Sequence, residues 1–302
     1  MTVEEAAELI RAGKLVAFPT ETVYGLGANA LDAAAVERIF AAKGRPKTSP
    51  LIVHVDGLGM ARDLARAWPA AAEELAGRYW PGPLTLVVPK DPRVPDVVTA
   101  GLGTVGLRMP AHPMALELIR RAGVPIAAPS ANRFTELSPT TAAHVRQSLG
   151  DAVDGILDGG AATVGIESTV LSLAEEPAVL FRPGVIPVSE LEEVAGAIRM
   201  AGAAGAGAHA SPGMHRRHYR PATPLYLGTA PRAGRGFTLW LGSGGREGQG
   251  LEMPRDPRGY AAVLYATLHR LDRQGYDWIR VEPPPETPAW AGVLDRLRRA
   301  AA

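Results

Sequence analysis

Three polar residues, Thr20, Glu21 and Thr22, stand between the apolar run Leu15-Val16-Ala17-Phe18 and Val23-Tyr24. Polar groups at the end of an apolar strand are where open α/β sheets hold ligands. The next segment, Gly25-Leu26-Gly27-Ala28-Asn29-Ala30, matches G-x-G-x-x-A. It is not a dinucleotide fingerprint, because the first glycine does not follow the strand directly and the acidic residue expected about 20 positions on is replaced by basic ones. It reads as a plain glycine turn or as part of a ligand-holding strand end.

Lys43-Gly44-Arg45-Pro46-Lys47-Thr48-Ser49-Pro50 brings three cations together. Such a run suits a solvated helix C-terminus. Two prolines stiffen it, however, and Leu51-Ile52-Val53-His54 takes it straight into an apolar strand, which favours a preordered anion site that loses little entropy on binding. No G-x-x-x-x-G-K-[ST] occurs, so a nucleotide would be held by side chains and other loops. Arg108 ends the apolar stretch Gly103-Thr104-Val105-Gly106-Leu107. Taken alone it reads as a surface ion-pair residue, although a guanidinium is also shaped to take a carboxylate with two parallel hydrogen bonds.

Pro129-Ser130-Ala131-Asn132, Gly165-Ile166-Glu167-Ser168-Thr169 and Phe181-Arg182-Pro183-Gly184 each set a polar residue at the edge of an apolar run. None has the G-x-S-x-G pattern, and no histidine or carboxylate lies near enough in sequence to complete a triad, so the serines read as hydrogen-bonding groups. The one close histidine pair, His215-x-x-His218, is surrounded by arginines without a carboxylate. No protein-held metal is expected there. His215-Arg216-Arg217-His218-Tyr219-Arg220 suits either a basic patch for RNA or a flap over an anionic ligand.

These segments need a scaffold of strands and helices. The runs 15–18, 51–53, 84–88, 124–128 and 169–171 read as strands bounded by Gly and Pro. Asp32 is placed to cap a helix carrying Val36, Ile39 and Phe40 at i, i+3, i+4 spacing, with Gly44 to end it. This predicts an α/β domain over residues 1–200. Residues 201–213 are almost all small and predict a flexible linker, taken as 201–222 with the basic stretch included. Residues 223–302 then read as a small α/β domain with a mainly parallel sheet. Its strands fall at 225–227, 237–241 and 278–281, and its helices at 259–274 and around Val293, Leu294 and Leu297.

The composition agrees with that frame. A chain of 302 residues with 46% hydrophobic and 21% charged residues suits a globular protein of about two domains. The absence of cysteine rules out disulfides and thiolate sites and fits a cytoplasmic address. The acidic N-terminal segment and the lack of a long apolar run predict neither export nor a membrane span. A formal net charge of +1 leaves RNA affinity to local clusters.

In this order, FPTETVYGLGANA, KGRPKTSPLIVH, WPGPLTLVV, TVGLRMPAHP, IAAPSAN, GIESTV, LFRPG and HYRP closely resemble the L-threonylcarbamoyladenylate synthase family. The likeness is to its long form, with a YrdC-like domain, a linker and an extra C-terminal domain, and it covers nearly the whole chain. It implies a twisted mixed sheet with flanking helices for the first domain. It also implies that Thr22, His54, Arg108, Ala128 and Ser168 line a threonine site, and that Arg45, Ser49, Thr104, Ser130, Ser138, Arg182 and Tyr219 bind ATP. Ser49 departs from the family's frequent asparagine, Arg133-Phe134-Thr135-Glu136-Leu137 replaces a segment commonly bearing Ser-Gly, and Arg220 stands where a small residue is usual.

The implied activity is a nucleotidyl transfer for tRNA modification. The amine of L-threonine takes up carbon dioxide from bicarbonate, and the carbamate attacks the α-phosphate of ATP and expels pyrophosphate. All reactants are anionic, and Lys43, Arg45, Lys47, Arg108 and Arg182 could supply fixed positive charge, with Lys43, Arg45 and Arg108 as the catalytic set and Mg²⁺ on the phosphates. No general base stands out, and transfers of this type depend largely on positioning. The implied partners are the proteins that pass the threonylcarbamoyl group to tRNA, with weak affinity for tRNA itself. Two alternatives are a double-stranded RNA or tRNA module without catalysis, and an enzyme that adenylates carbamoyl phosphate. The latter needs zinc-binding domains that a chain without cysteine lacks.

Overall fold

The computed structural model describes residues 1–202, 218–231, 233–242 and 248–301. Most of the expected linker, with His215, Arg216 and Arg217, lies outside them. The first domain contains β1 (Val16–Phe18), β2 (Gly25–Asn29), β3 (Ile52–His54), β4 (Leu84–Pro89), β5 (Thr104–Arg108), β6 (Ile126–Ala127), β7 (Gly155–Ile156), β8 (Thr169–Ser172), β9 (Ala178–Arg182) and β10 (Ile198–Met200). They form one sheet in the order β10-β9-β8-β4-β5-β3-β6-β2-β1-β7. Parallel pairs such as β3–β5 and β4–β8 alternate with antiparallel ones such as β4–β5 and β8–β9, so the sheet is mixed.

The helix Ala33–Lys43 shows how local sequence sets an element. Asp32 Oδ1 accepts from the amides of Ala34 and Ala35 at 2.9 and 3.1 Å, and Gly44, at φ 62°, ends the helix. Val36, Ile39 and Phe40 are buried on one face. The glycine-rich segment at 25–29 is neither a turn nor a loop but β2, paired antiparallel with β1. A Cβ at Gly27 would stand 2.8 Å from Phe18 Cε1 and from Ile126 Cγ2, so the missing side chain is what lets the neighbouring side chains close over this strand.

The second domain carries β11 (Leu225–Leu227), β12 (Gly236–Trp240), β13 (Gly250–Glu252) and β14 (Trp278–Val281) in the order β11-β14-β12-β13, all parallel. β13 is an edge strand whose Gly-Leu-Glu carries no apolar run, and so left no mark in the sequence. The helices Pro257–Asp272 and Ala291–Ala301 bury Leu264, Leu268, Leu271, Val293, Leu294 and Leu297. This core also takes in Val23, Leu137 and Ile166 of the first domain, so apolar packing runs across the junction. The approach is close: a Cβ at Gly292 would lie 2.4 Å from the Gly184 carbonyl oxygen. Among the described residues no helix is long and apolar enough to cross a membrane.

Candidate active site

A cavity lies between the first domain and the segment that enters the second. Its walls come from Thr20, Thr22 and Val23 between β1 and β2, Arg45 after the capped helix, Ile52 and His54 of β3, Arg108 at the end of β5, Ala128, Pro129 and Ser130 after β6, Glu167 and Ser168 before β8, and Arg182 at the end of β9. His218 and Tyr219 close it from the segment that enters the second domain. β3 and β5 run parallel, with His54 opposite Arg108, so sheet register places two of these side chains together.

The cations are buried and held. Arg108 is 4% exposed; its Nη2 donates to Glu21 Oε1 at 2.6 Å and its Nε to the Gly82 carbonyl at 3.2 Å. It is therefore not a surface ion-pair residue, because Glu21, itself fixed by the Ala111 amide at 2.9 Å, brings its counter-charge inside. Arg182 donates from Nε to the Ser168 carbonyl at 3.0 Å and from Nη2 to Ser168 Oγ at 3.1 Å, while Thr85 Oγ1 lies 2.8 Å from the same hydroxyl. Arg45 Nη2 bonds the Ser49 hydroxyl and, at 3.1 Å, the Pro50 carbonyl. Burial and nearby Arg182 lower its pKa to about 10, although Tyr219 acts in the opposite sense.

The remaining sequence-derived residues occupy different places. Lys43 Nζ donates to the carbonyls of Ser130 and Asn132, so it secures the loop that lines the cavity and is not itself a wall. Burial, then Arg45, hold it well below the usual lysine range. Lys47 is largely exposed and bonds Glu37 at 2.8 Å, which removes it from the set of charges at the site. Ser49 and Ser138 stand one bond behind the walls, on Arg45 and Glu167 respectively. Thr104 lines a second, smaller cavity with Pro50, Leu51, Thr85, Val87, Thr99 and Gly106; Ile52 belongs to both. Thr22, His54, Arg108, Ala128, Ser168, Arg45, Ser130, Arg182 and Tyr219 all line the main cavity.

Thr20, Glu167 and His218 are walls outside the expected site set, although Thr20 stood at a strand end suited to ligands and His218 in a stretch suited to a flap. Glu167 carries a charge among cations. Burial alone would raise its pKa, but Arg296, Arg182 and the Ser138 hydroxyl outweigh that and hold it below the usual carboxylate range. His54 Nδ1, His218 Nδ1 and the Tyr219 hydroxyl are buried without a hydrogen-bond partner among the described residues. Buried polar atoms left so cost roughly 1–3 kcal/mol each, which a polar ligand would offset. No group of three or more His, Cys, Asp or Glu is placed to hold a metal among the described residues.

Burial, then the charge of Arg108, push His54 down to about 3. Between that value and the unfolded value of about 6.5 the unfolded chain binds a proton that the folded chain does not, so stability falls as pH falls, by at most ~1.4 kcal/mol per pH unit. His144, pushed to about 4 by burial and His269, adds in the same direction. The melting temperature should decline from pH 6.5 to pH 4.5, less steeply in His54→Gln. An unchanged slope in that variant would show that His54 is not held neutral.

Fold and cavity together define the class: a YrdC-like domain whose cationic cavity is closed by the segment leading into a small parallel-sheet domain. Residues 8–184 match the Sua5, YciO and YrdC family model, described as telomere recombination, and residues 186–302 match the C-terminal domain of threonylcarbamoyl-AMP synthase. A Pyrococcus abyssi threonylcarbamoyl-AMP synthase is 45% identical over 98% of this chain and 92% of its own length, and one from Bacillus subtilis is 42% identical over 99% and 92%. The crystal structure of P. abyssi Sua5 complexed with L-threonine superposes with a TM-score of 0.93 at 43% identity, covering 99% of this chain and 94% of that one. The chain belongs to the threonylcarbamoyl-AMP synthase family, in its two-domain form, and by that membership is a nucleotidyltransferase.

Proposed function

We propose that this chain condenses L-threonine, bicarbonate and ATP to L-threonylcarbamoyl-AMP and pyrophosphate, for threonylcarbamoyladenosine modification of tRNA. The observation that carries this is the convergence of three buried guanidiniums, Arg45, Arg108 and Arg182, on one cavity beside polar groups without partners. Fixed donors in a site shielded from water suit a reaction whose substrates and transition state are all anionic. The threonine complex of the P. abyssi relative supports the amino-acid half of the reading.

In this reading Arg108 takes the threonine carboxylate, Thr22, His54 and Ser168 take its polar groups, and Ala128 faces its methyl. A neutral His54 adds no charge that would draw the carboxylate away from Arg108. Bicarbonate takes up a proton and loses water to give carbon dioxide, which threonine's amine attacks, giving up a proton in turn to leave the carbamate. A carbamate oxygen then bonds the α-phosphorus as the bond to the pyrophosphate oxygen breaks, with Arg45, Ser130, Arg182 and Tyr219 on the nucleotide. Lys43, Ser49 and Ser138 keep those groups in place. The smaller cavity beyond Ile52, with Thr104, is the proposed adenine end. Mg²⁺ would arrive with ATP and offset phosphate charge, which fits a cavity whose described walls carry one carboxylate, Glu167.

Pyrophosphate release should require all three substrates and no tRNA. Equal turnover without threonine sinks the proposal, while salt-dependent RNA binding without ATP turnover would point to the RNA-module reading. The product is a reactive mixed anhydride, so the proposed partners are tRNA threonylcarbamoyl-transfer proteins in the same cytoplasmic compartment.

A further inference from the structure

Arg296, on the last helix of the second domain, has no exposed side-chain surface. Its contacts are mostly with the first domain. Nε donates to Glu167 Oε2 at 2.7 Å, Nη2 to the Glu167 carbonyl at 3.1 Å and Nη1 to the Pro183 carbonyl at 2.9 Å. Asp295 takes a further bond from Nη1 at 2.8 Å, and the guanidinium carbon lies 5.3 Å from the centroid of the Tyr219 ring. The Glu167 carboxylate also accepts from the Ser138 hydroxyl and, at 3.2 Å, from that of Tyr265.

These contacts have a direction. Glu167 and Ser168 lead into β8 and Pro183 follows the end of its antiparallel neighbour β9, so one planar fork ties the entry of one strand to the exit of the next. Arg182 ties the same two points from inside the first domain through Ser168. An ion pair serving only to glue domains needs a carboxylate alone, and apolar residues would do as well. Two backbone carbonyls and an aromatic face demand the flat geometry of arginine. Glu167, Arg182 and Tyr219 are all cavity walls.

We propose that Arg296 is a positioning residue of the active site, the group through which the second domain sets Glu167, Arg182 and Tyr219 around the nucleotide. This rests on the reading of Arg182 and Tyr219 as ATP contacts. The test compares full-length Arg296→Lys and Arg296→Met with the parent chain by calorimetric binding of ATP and of L-threonine separately, pyrophosphate release and thermal melting. Lysine keeps the buried charge but not the fork, so Arg296→Lys should melt near the parent and bind threonine within about threefold. Its ATP affinity or kcat should fall at least about tenfold. Gly292→Ala pushes the whole helix, Arg296 included, off Gly184 while keeping every charged side chain, and so shows the losses that undocking alone produces.

Arg296→Lys within threefold of the parent in both ATP affinity and kcat overturns the proposal. So does a parallel loss of threonine affinity, ATP affinity and melting temperature that Gly292→Ala reproduces. If Arg296→Met does not fold, Arg296→Lys decides alone. A parent chain that binds ATP but releases no pyrophosphate removes the proposed reaction only, and the binding comparison still decides the role of Arg296. A parent that binds no ATP removes both.

Discussion

Arg108→Ala is expected to lower kcat/KM for threonine by about 30-fold to several thousand-fold. The range follows from the roughly 2–5 kcal/mol lost when one partner of a buried charge pair is removed, with each ~1.4 kcal/mol worth tenfold. The burial of Arg108 against Glu21 adds a second consequence. Without the guanidinium, Glu21 is left as an uncompensated carboxylate, which costs stability as well as binding. Arg108→Ala combined with Glu21→Gln should regain much of the melting temperature while activity stays low. A folded Arg108→Ala variant within threefold of the parent would remove Arg108 from the threonine site.

The second large effect is expected from a chain ending at residue 200. The cut falls after β10, so the sheet and the main apolar clusters of the first domain are kept, and the fragment should remain folded. It loses His218 and Tyr219 from the cavity, and Tyr265 and Arg296 from Glu167. That carboxylate then faces the incoming triphosphate with only Ser138 and Arg182 beside it; like charges about 4 Å apart near a protein surface repel by roughly 1–4 kcal/mol, of which ~2.7 kcal/mol is about a hundredfold in rate. The check is pyrophosphate release by a soluble fragment with an intact circular-dichroism spectrum. Full activity would make the second domain a passenger and take Tyr219 out of the site.

Much of this molecule was legible in the chain. Asp32 and Gly44 bound a helix by backbone chemistry that needs no distant partner, and the apolar runs marked β1, β3, β4, β6, β8, β11, β12 and β14. The edge strand β13 and the short strands β7 and β10 escaped because pairing, not composition, defines them. β2 was hidden for a related reason: glycine discourages a strand unless its neighbours need the space, and only the packing of Phe18 and Ile126 shows that they do.

The site divides along the same line. Where motif and strand end coincide, as at Thr22, Arg108, Ser168 and Arg182, the chain alone pointed to side chains that line the cavity, because strand ends bring their residues to one rim of the sheet. It could not determine which charges point inward. Lys43, Arg45 and Lys47 share one short run, yet the helix end and the prolines bury the first two and leave the third with Glu37 in solvent. Arg296 reads as one of several charges on a polar helix end, and 129 residues separate it from Glu167. Only the docking of the second domain, close enough at Gly292 to exclude a side chain, makes that arginine part of the cavity's frame. Long-range electrostatic partners are fixed by packing, and no local pattern records them.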